Sequence, residues 1–361
     1  MNPIRLYVSP NYRVSGMSHI PLLYPFWGVP EKQSMPYVYE AMKKHQYSPK
    51  DYMLVSIIEE ADFVVMPHPY WRLMQVNPAL VQTIIADAKA ARKLLLIEAA
   101  GDFEKPLSIE HAVVLRLSQY RYEVSSQEIT IPFLAEDLLE AYGEGVLKPR
   151  KKTERPSVGF AGWSGMPFVQ RIKTAIKELP ITFAATLDSK RGAEHKGLFF
   201  RERALNALAK SLRIDAHLKA RPTYSGHVAT LTGNGEDNRR EFVQNLFESD
   251  YALCVRGDAN SSVRFYEALS LGKIPLFLDT ACVLPLEDKI RYRDFCVFVD
   301  WRDINRIGDI LANFHAQVSP EQFEEMQRKA RAAFADYLRM DSFAKQLAEI
   351  LRARLQQKSL S

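Results

Sequence analysis

The chain has 361 residues, 47% of them hydrophobic and 25% charged, an ordinary globular composition that excludes disordered, collagen-like and low-complexity architectures. Its 48 basic and 43 acidic side chains leave a formal charge of +5, too slight an excess to call for nucleic acid. The three cysteines, Cys254, Cys282 and Cys296, form no C-x-x-C pair, which argues against a disulfide framework or a zinc cluster and for a reducing, cytoplasmic setting.

No signal-peptide stretch opens MNPIRLYVSP, and no apolar run reaches the ~18 residues that span a bilayer. At roughly 100–200 residues per domain the length suggests two domains.

In chain order, Ile4–Val8 is a short apolar strand closed by Ser9-Pro10-Asn11, and the composition of Pro36–Lys44 allows a helix. Ala61–Met66 is a buried strand stopped by Pro67 and Pro69. Pro78–Arg92 has helical spacing, Lys93–Ile97 and Ala112–Leu117 are further strands, and Ile129–Pro132 is a brief extended piece before a helix at Ala135–Tyr142. Apolar runs without polar alternation, separated by helices, predict parallel strands covered on both faces. The basic, proline-containing LKPRKKTERP at 147–156 is the best linker candidate.

The pattern then restarts. Ser157–Phe160 is a strand, Phe168–Glu178 a helix, Ile181–Ala185 a strand beyond Pro180, and Glu202–Leu212 a helix. Glu241–Phe247 reads as helix, Asp250–Val255 as buried strand, Ile274–Leu278 and Cys296–Val299 as strands, and Asp303–Phe314 as helix. Ser319-Pro320-Glu321-Gln322 has the capping-box arrangement, and the second of the two tail helices carries Phe343, Leu347, Ile350 and Leu351 on one side. These repeated strand–helix units predict two doubly wound α/β domains facing a central cleft. The expected division is 1–150, 151–318, and a tail 319–361 that packs back towards the first domain.

Several chemistries have no support. There is no G-x-x-x-x-G-K-[ST] loop, H-E-x-x-H, G-x-S-x-G or G-x-G-x-x-G, and no Asp-x-Asp pair to hold a metal against a diphosphate. Neither a metal nor a cofactor is expected.

The informative segment is SDYALCVRGDANSSVRFYEALSLGKIPLFL, residues 249–278. A buried strand runs into Arg256-Gly257-Asp258-Ala259-Asn260-Ser261-Ser262, and a helix begins near Val263 with Arg264 and Glu267 in its first turns. A helix N-terminus at the carboxyl end of a parallel strand presents free N–H groups, and its dipole favours an anion by roughly 0.3–1 kcal/mol. Asn260, Ser261 and Ser262 add small donors. Arg264 can clamp a phosphate through charge-assisted bonds of about 1.5–3 kcal/mol each. Glu267, on the same helical face, can accept ribose hydroxyls or fix Arg264. The bland alternative makes the serines N-caps and Arg264–Glu267 an exposed pair.

At these residues the sequence resembles exostosin-like glycosyltransferases (family 47), particularly their bacterial members. The likeness rests on Gly257-Asp258, Ser261-Ser262, Arg264, Glu267-Ala268-Leu269, Gly272 and Ile274-Pro275, with weaker echoes at 60–67, 129–132 and 298–301. Lys273 departs from the family's usual residue before Ile-Pro, and Glu128 stands where Asp is usual. The resemblance implies a GT-B fold of two Rossmann-like domains, a nucleotide-sugar donor held by the second, and inverting transfer to a glycan acceptor held mainly by the first.

On that reading Arg256, Gly257, Asn260, Ser261, Ser262, Arg264 and Glu267 bind donor. Arg201 and Arg203, at a helix start after a Gly/Lys-rich loop, either join them or form a solvated basic face. Trp163 abuts a sugar or packs in the core. The catalytic base is sought at the carboxyl ends of N-terminal strands: Asp102 first, then Glu98, then His68. Ser9, Asn11, Tyr12 and Arg13 are assigned to the acceptor. The expected acceptor is a polysaccharide or a lipid-linked saccharide, with peripheral contact at the inner membrane face through the tail and the basic linker. The competing readings are a nucleotide-sugar epimerase and a non-catalytic glycan-binding scaffold.

Overall fold

The computed structural model describes residues 2–30, 36–101, 106–164, 168–221 and 235–360. They divide into two compact units. Unit 1 comprises Met1–Leu134, Val283–Pro285 and Asp336–Ser361; unit 2 comprises Ala135–Cys282 and Leu286–Ala335.

The strands of unit 1 are β1 (Ile4–Tyr7), β2 (Tyr52–Val55), β3 (Phe63–Val65), β4 (Leu94–Glu98), β5 (Ala112–Arg116) and β6 (Glu128–Thr130). Its helices are α1 (Tyr24–Trp27), α2 (Pro36–Lys44), α3 (Tyr70–Val76) and α4 (Pro78–Ala90). The sheet order is β2-β1-β3-β4-β5-β6, every pairing parallel. Strands β3, β4 and β5 are buried at every position, as their unalternating apolar runs require. Ile84, Ala88 and Val81 of α4 pack on this sheet.

Unit 2 begins with α5 (Leu138–Tyr142) and continues with β7 (Ser157–Trp163), α6 (Phe168–Leu187), α7 (Gly197–Lys210), β8 (Asp215–Arg221), α8 (Gly235–Glu248), β9 (Tyr251–Cys254), α9 (Val263–Ser270), β10 (Ile274–Asp279), β11 (Val297–Asp300), α10 (Ile307–Gln317) and α11 (Pro320–Ala333). Its all-parallel sheet has the order β11-β10-β9-β7-β8. Numbered from its own first strand this is 2-1-3-4-5, the order with which unit 1 also starts. Both units are therefore Rossmann-like α/β sheets, and each has its topological switch point where the first and third strands part.

Residues 135–156 group with unit 2 rather than bridging to it. The Leu138 amide donates to Ser270 Oγ at 3.1 Å, Asp137 accepts Arg331 at 2.6 Å, and Arg150 Nε donates to Asp250 at 3.1 Å. The stretch expected as a basic linker is thus tied down on the amino ends of the strands. The tail helix α12 (Met340–Leu360) groups with unit 1, where Tyr52 Oη donates to the Ala344 carbonyl at 2.6 Å. Its Phe343, Leu347 and Leu351 are buried. No described helix is long and apolar enough to cross one. The capping box at Ser319–Gln322 is formed, with the Gln322 amide on Ser319 Oγ and Gln322 Oε1 accepting from the Ser319 amide.

Three elements depart from the sequence pattern. The strand expected at 181–185 is the second half of α6, which runs through Pro180. Pro180 is exposed, so water can take the carbonyl it leaves unserved, while the Glu178 carboxylate is held by His195 Nδ1 at 2.9 Å and the Lys196 amide at 3.0 Å. The true second strand is β8, at the sheet edge and mostly exposed, where no apolar alternation marks it. Strand β2 (Tyr52–Val55), an edge of the unit 1 sheet, was also unmarked, although its YMLV run is apolar and Tyr52 is buried.

Candidate functional site

In unit 2, β7 and β9 pair only at Val158–Tyr251 and Gly159–Ala252, and beyond them the strands part. Strand β7 continues to Trp163 alongside β8, while β9 ends at Cys254 and gives way to the 255–262 loop and then to α9. The loop therefore opens at the carboxyl end of the sheet, at the switch point, where ligands of open α/β sheets bind.

Arg264 fills the opening between the strands. Its Nη2 donates to the Ala161 carbonyl at 2.7 Å, and its guanidinium lies 4.2 Å from the Phe160 ring centre and 5.5 Å from that of Phe242. Gly162 makes this possible, because a Cβ there would stand 2.5 Å from Arg264 Nη2. The guanidinium is thus held flat, with one N–H engaged by β7.

Arg256 braces the loop. It is 3% exposed and donates to the carbonyls of Ala193 at 3.0 Å and Asp258 at 2.8 Å. That commitment to main chain makes it a strut. The Gly257 amide donates to the Ser261 carbonyl at 2.9 Å, closing the turn. Gly197, at the start of α7, packs so closely that a Cβ would run into the carbonyl oxygens of Arg256 and Gly257. Asn260 is fully buried: its amide donates to the Thr280 carbonyl at 3.1 Å, Thr280 Oγ1 donates to its Oδ1 at 2.5 Å, and Cys282 Sγ contacts its main-chain oxygen at 2.8 Å. The geometry makes Asn260 an anchor of the turn on β10, in place of the donor to ligand that its loop position suggested. Ser261 and Ser262 are 7% exposed; Ser262 occupies the N-cap position of α9, and its side chain caps no amide there.

Glu267 does not pair with Arg264. Its Oε1 accepts from Arg239 Nη1 at 2.5 Å, and Arg239 also donates to Glu136 from Nη2 at 2.7 Å and Nε at 3.3 Å. One arginine thus serves two nearly buried carboxylates. Burial pushes the Glu136 carboxyl up against the pull of Arg239, while the two carboxylates hold the arginine charged above its ordinary range. Arg201 Nη1 donates to the Trp163 carbonyl at 3.2 Å, so Arg201 and Trp163 both belong to the mouth of this opening. Arg203 lies apart, over the Phe199 ring at 5.2 Å and 3.5 Å from Asn305 Oδ1. Sequence reasoning missed the roles of Arg239, Thr280, Gly162 and Gly197; an isolated glycine within a strand, as at Gly162, is the one available signal of close backbone approach.

In unit 1 the corresponding switch point lies between β1 and β3. Tyr12 is buried with its hydroxyl on Asp87 at 2.8 Å, and Ser9 Oγ accepts the Asn11 amide at 3.3 Å. Asn11 and Arg13 are exposed, and Arg13 lies 4.8 Å from the Trp27 ring centre. His68 is 1% exposed and engaged at both nitrogens: Nε2 accepts the Val14 amide at 2.9 Å and Nδ1 donates to the Ser18 carbonyl at 2.9 Å. Burial holds its pKa down, so His68 is a neutral stitch between the loops after β1 and β3 with no nitrogen left to take a substrate proton.

Asp102 lies outside the described residues. Glu98, the last residue of β4, is 8% exposed, and burial pushes its carboxyl up to about 7. A carboxyl that titrates near neutrality at a strand's carboxyl end is suited to proton transfer.

The segment 178–314 matches the model of the exostosin GT47 domain. That segment is similar to the exostosin GT47 domain. The matched segment contains the Arg256–Glu267 turn, Arg239 and the Arg201 helix, but not β7. Exostosin-1 of Drosophila melanogaster is 36% identical over 84 residues, which are 23% of this chain and 11% of that protein. The exostosin-1 homologue of Caenorhabditis elegans is 29% identical over 106 residues, 29% of this chain and 27% of that protein. The chain thus matches under a third of the length of these exostosin-like relatives. Among solved structures, TarM is similar at a TM-score of 0.37 and 12% identity, over 87% of this chain and 57% of that one.

Proposed function

We propose that the protein is an inverting glycosyltransferase that moves a sugar from a nucleoside diphosphate-sugar to a glycan acceptor, free or lipid-linked, with unit 2 binding donor and unit 1 binding acceptor. One observation carries this reading: the turn 256–264, which lies in the exostosin-like segment, opens at the switch point of the second sheet with Arg264 held across it. The first-turn amides of α9 and the positive charge of Arg264 meet the diphosphate, whose charge grows as the bond to the sugar breaks. Glu267, positioned by Arg239, faces the nucleoside end.

In the chemical step a base takes the acceptor hydroxyl proton and the oxygen attacks the anomeric carbon. The carbon–oxygen bond to the diphosphate breaks, and its electron pair leaves with the phosphate. Glu98 has the burial and the titration range for that base. Asp102, further along the same segment, is its competitor, and the two single variants separate them.

The test is calorimetric titration with UDP and GDP, followed by radiolabelled UDP- and GDP-sugars with acceptor glycans. Binding of a nucleoside diphosphate that falls at least tenfold in Arg264→Ala, with label joining the acceptor, is the expected result. Absence of nucleotide binding would leave a scaffold; isomerised label without transfer would leave an epimerase.

A further inference from the structure

Unit 2 holds a buried carboxylate–imidazole pair that has no part in the transfer step described above. Glu178 of α6 and His195, two residues before α7, are 6% and 8% exposed. His195 Nδ1 donates to Glu178 Oε2 at 2.9 Å, and the Lys196 amide donates to Oε1 at 3.0 Å. Both carboxylate oxygens thus serve one short segment. The imidazole plane is fixed as well. It stacks on the Phe199 ring at 4.5 Å, with 26° between the planes, and Phe200 meets it edge-on at 6.5 Å. Nδ1 is committed, while Nε2 takes no hydrogen-bond partner among the described residues.

The chain on either side of His195 is clamped to the switch-point turn. Arg256 Nη1 donates to the Ala193 carbonyl at 3.0 Å, and a Cβ on Gly197 would run into the carbonyl oxygens of Arg256 and Gly257. Ala193 and Gly197 each lie two residues from His195, about 7 Å of chain at most. The imidazole therefore stands beside residues 256–257, where β9 gives way to the loop, and just ahead of the N-terminus of α7. Arg201 of α7 reaches the same place: its Nη2 is 3.7 Å from where a Gly257 Cβ would be, and its Nη1 meets the Trp163 carbonyl.

The charges around the ring favour its protonated form. Glu178 is the acid that meets it from α6. Burial would raise the Glu178 carboxyl, but the bonds from His195 and the Lys196 amide outweigh it and hold the group below its ordinary range. On the segment before His195, Arg191 and Glu194 pair with each other at 3.0 Å, and Lys196 is exposed. Helix α7 brings Arg201 and also Arg203, which lies over the far side of the Phe199 contact at 5.2 Å; the loop brings Arg256 and the exposed Asp258. An imidazole with a fixed carboxylate on Nδ1 and an open Nε2 is, once protonated, a charge-assisted donor with a set direction.

We propose that His195 is a further donor-site residue: as the imidazolium, with Glu178 as its positioning carboxylate, it donates from Nε2 to the diphosphate of the nucleotide. The inference rests on the reading that the turn 256–264 binds that diphosphate. It makes nucleotide affinity proton-linked. The arginines of the site stay charged at every working pH and give no such dependence, whereas the His195 contact is present in acid and lost as pH rises.

The experiment is calorimetric titration of the full chain with UDP and GDP at pH 6, 7 and 8.5, with urea unfolding of each sample. Comparing variants at one pH cancels the nucleotide's own ionisation. His195→Asn places an amide where Nδ1 was, so it keeps the bond to Glu178 and loses only Nε2. At pH 6 it should bind about tenfold more weakly than the parent, the equivalent of one charge-assisted hydrogen bond, and at pH 8.5 within about twofold of it. His195→Gln, whose amide reaches the Nε2 position without a titrating charge, should restore part of the affinity equally at all three values. Glu178→Gln should keep the imidazole but lower the pH at which the contact is lost, so that its deficit is already complete at pH 7. Equal affinity of parent and His195→Asn at pH 6, or a deficit of one size at every pH, as a damaged turn would give, would overturn the proposal. Either result with nucleotide still bound by the parent removes only this inference. A parent that binds neither UDP nor GDP removes the transferase reading and this contact with it.

Discussion

Arg264 Nη2 donates to the carbonyl of Ala161 at 2.7 Å, so the arginine of the α9 first turn is anchored on the strand across the switch point. That bond makes the position of the charge a property of the sheet. It also requires the neighbouring residue of β7 to have no side chain.

Gly162→Ala should therefore displace the guanidinium without altering any group that meets the nucleotide. The expected outcome is a loss of nucleoside diphosphate affinity of about tenfold, the equivalent of one charge-assisted hydrogen bond, together with a stability loss on the order of 1–3 kcal/mol from a side chain at the positive φ of position 162. Calorimetry and urea unfolding measure the two separately. Unchanged affinity would show that Arg264 does not act from this position.

Glu98 links stability to pH with a definite sign. Its folded carboxyl is raised from 4.5 to about 7, so the ionised form is disfavoured by folding. Below pH 4.5 the group is neutral in both states and costs nothing. As pH rises through that value towards 7 stability falls, by about 3 kcal/mol in total. Glu98→Gln should consequently be more stable than the parent at pH 8 and equal to it near pH 4. If Glu98 is the base, kcat rises through pH 7 in the parent, and Glu98→Gln loses most turnover while binding nucleotide normally. A variant with full kcat would pass the role to Asp102.

Asn260 and Thr280 should behave as a structural couple. Each of Asn260→Ala and Thr280→Val leaves a buried polar partner unsatisfied, at about 1–3 kcal/mol. The double variant should cost clearly less than the sum of the two. Both single variants should weaken nucleotide binding alike, since both loosen the same turn. If Asn260→Ala alone weakens binding, Asn260 touches ligand.

The segments most legible in the sequence were those whose residues answer to one local demand. Buried strands such as Leu94–Glu98 and Tyr251–Cys254 are apolar because both faces are covered, and Ser319–Gln322 caps a helix with its own side chains. Edge strand β8 was not legible, because an exposed strand is defined by its partner rather than by its own pattern. Pro180 misled for a related reason: a local helix breaker is overruled where Glu178 is held by His195 and the Lys196 amide.

Sequence alone determined the α/β class and marked the Arg256–Glu267 turn, since both follow from short-range pattern and from a residue set with its own chemistry. Only the tertiary structure decided which partners those residues take within the fold. Arg256 and Asn260 went to main-chain and β10 partners, Glu267 to Arg239, and His68 to two backbone groups. Each choice depends on donors and acceptors far away in the chain, and a buried polar group must take whichever partner folding brings to it.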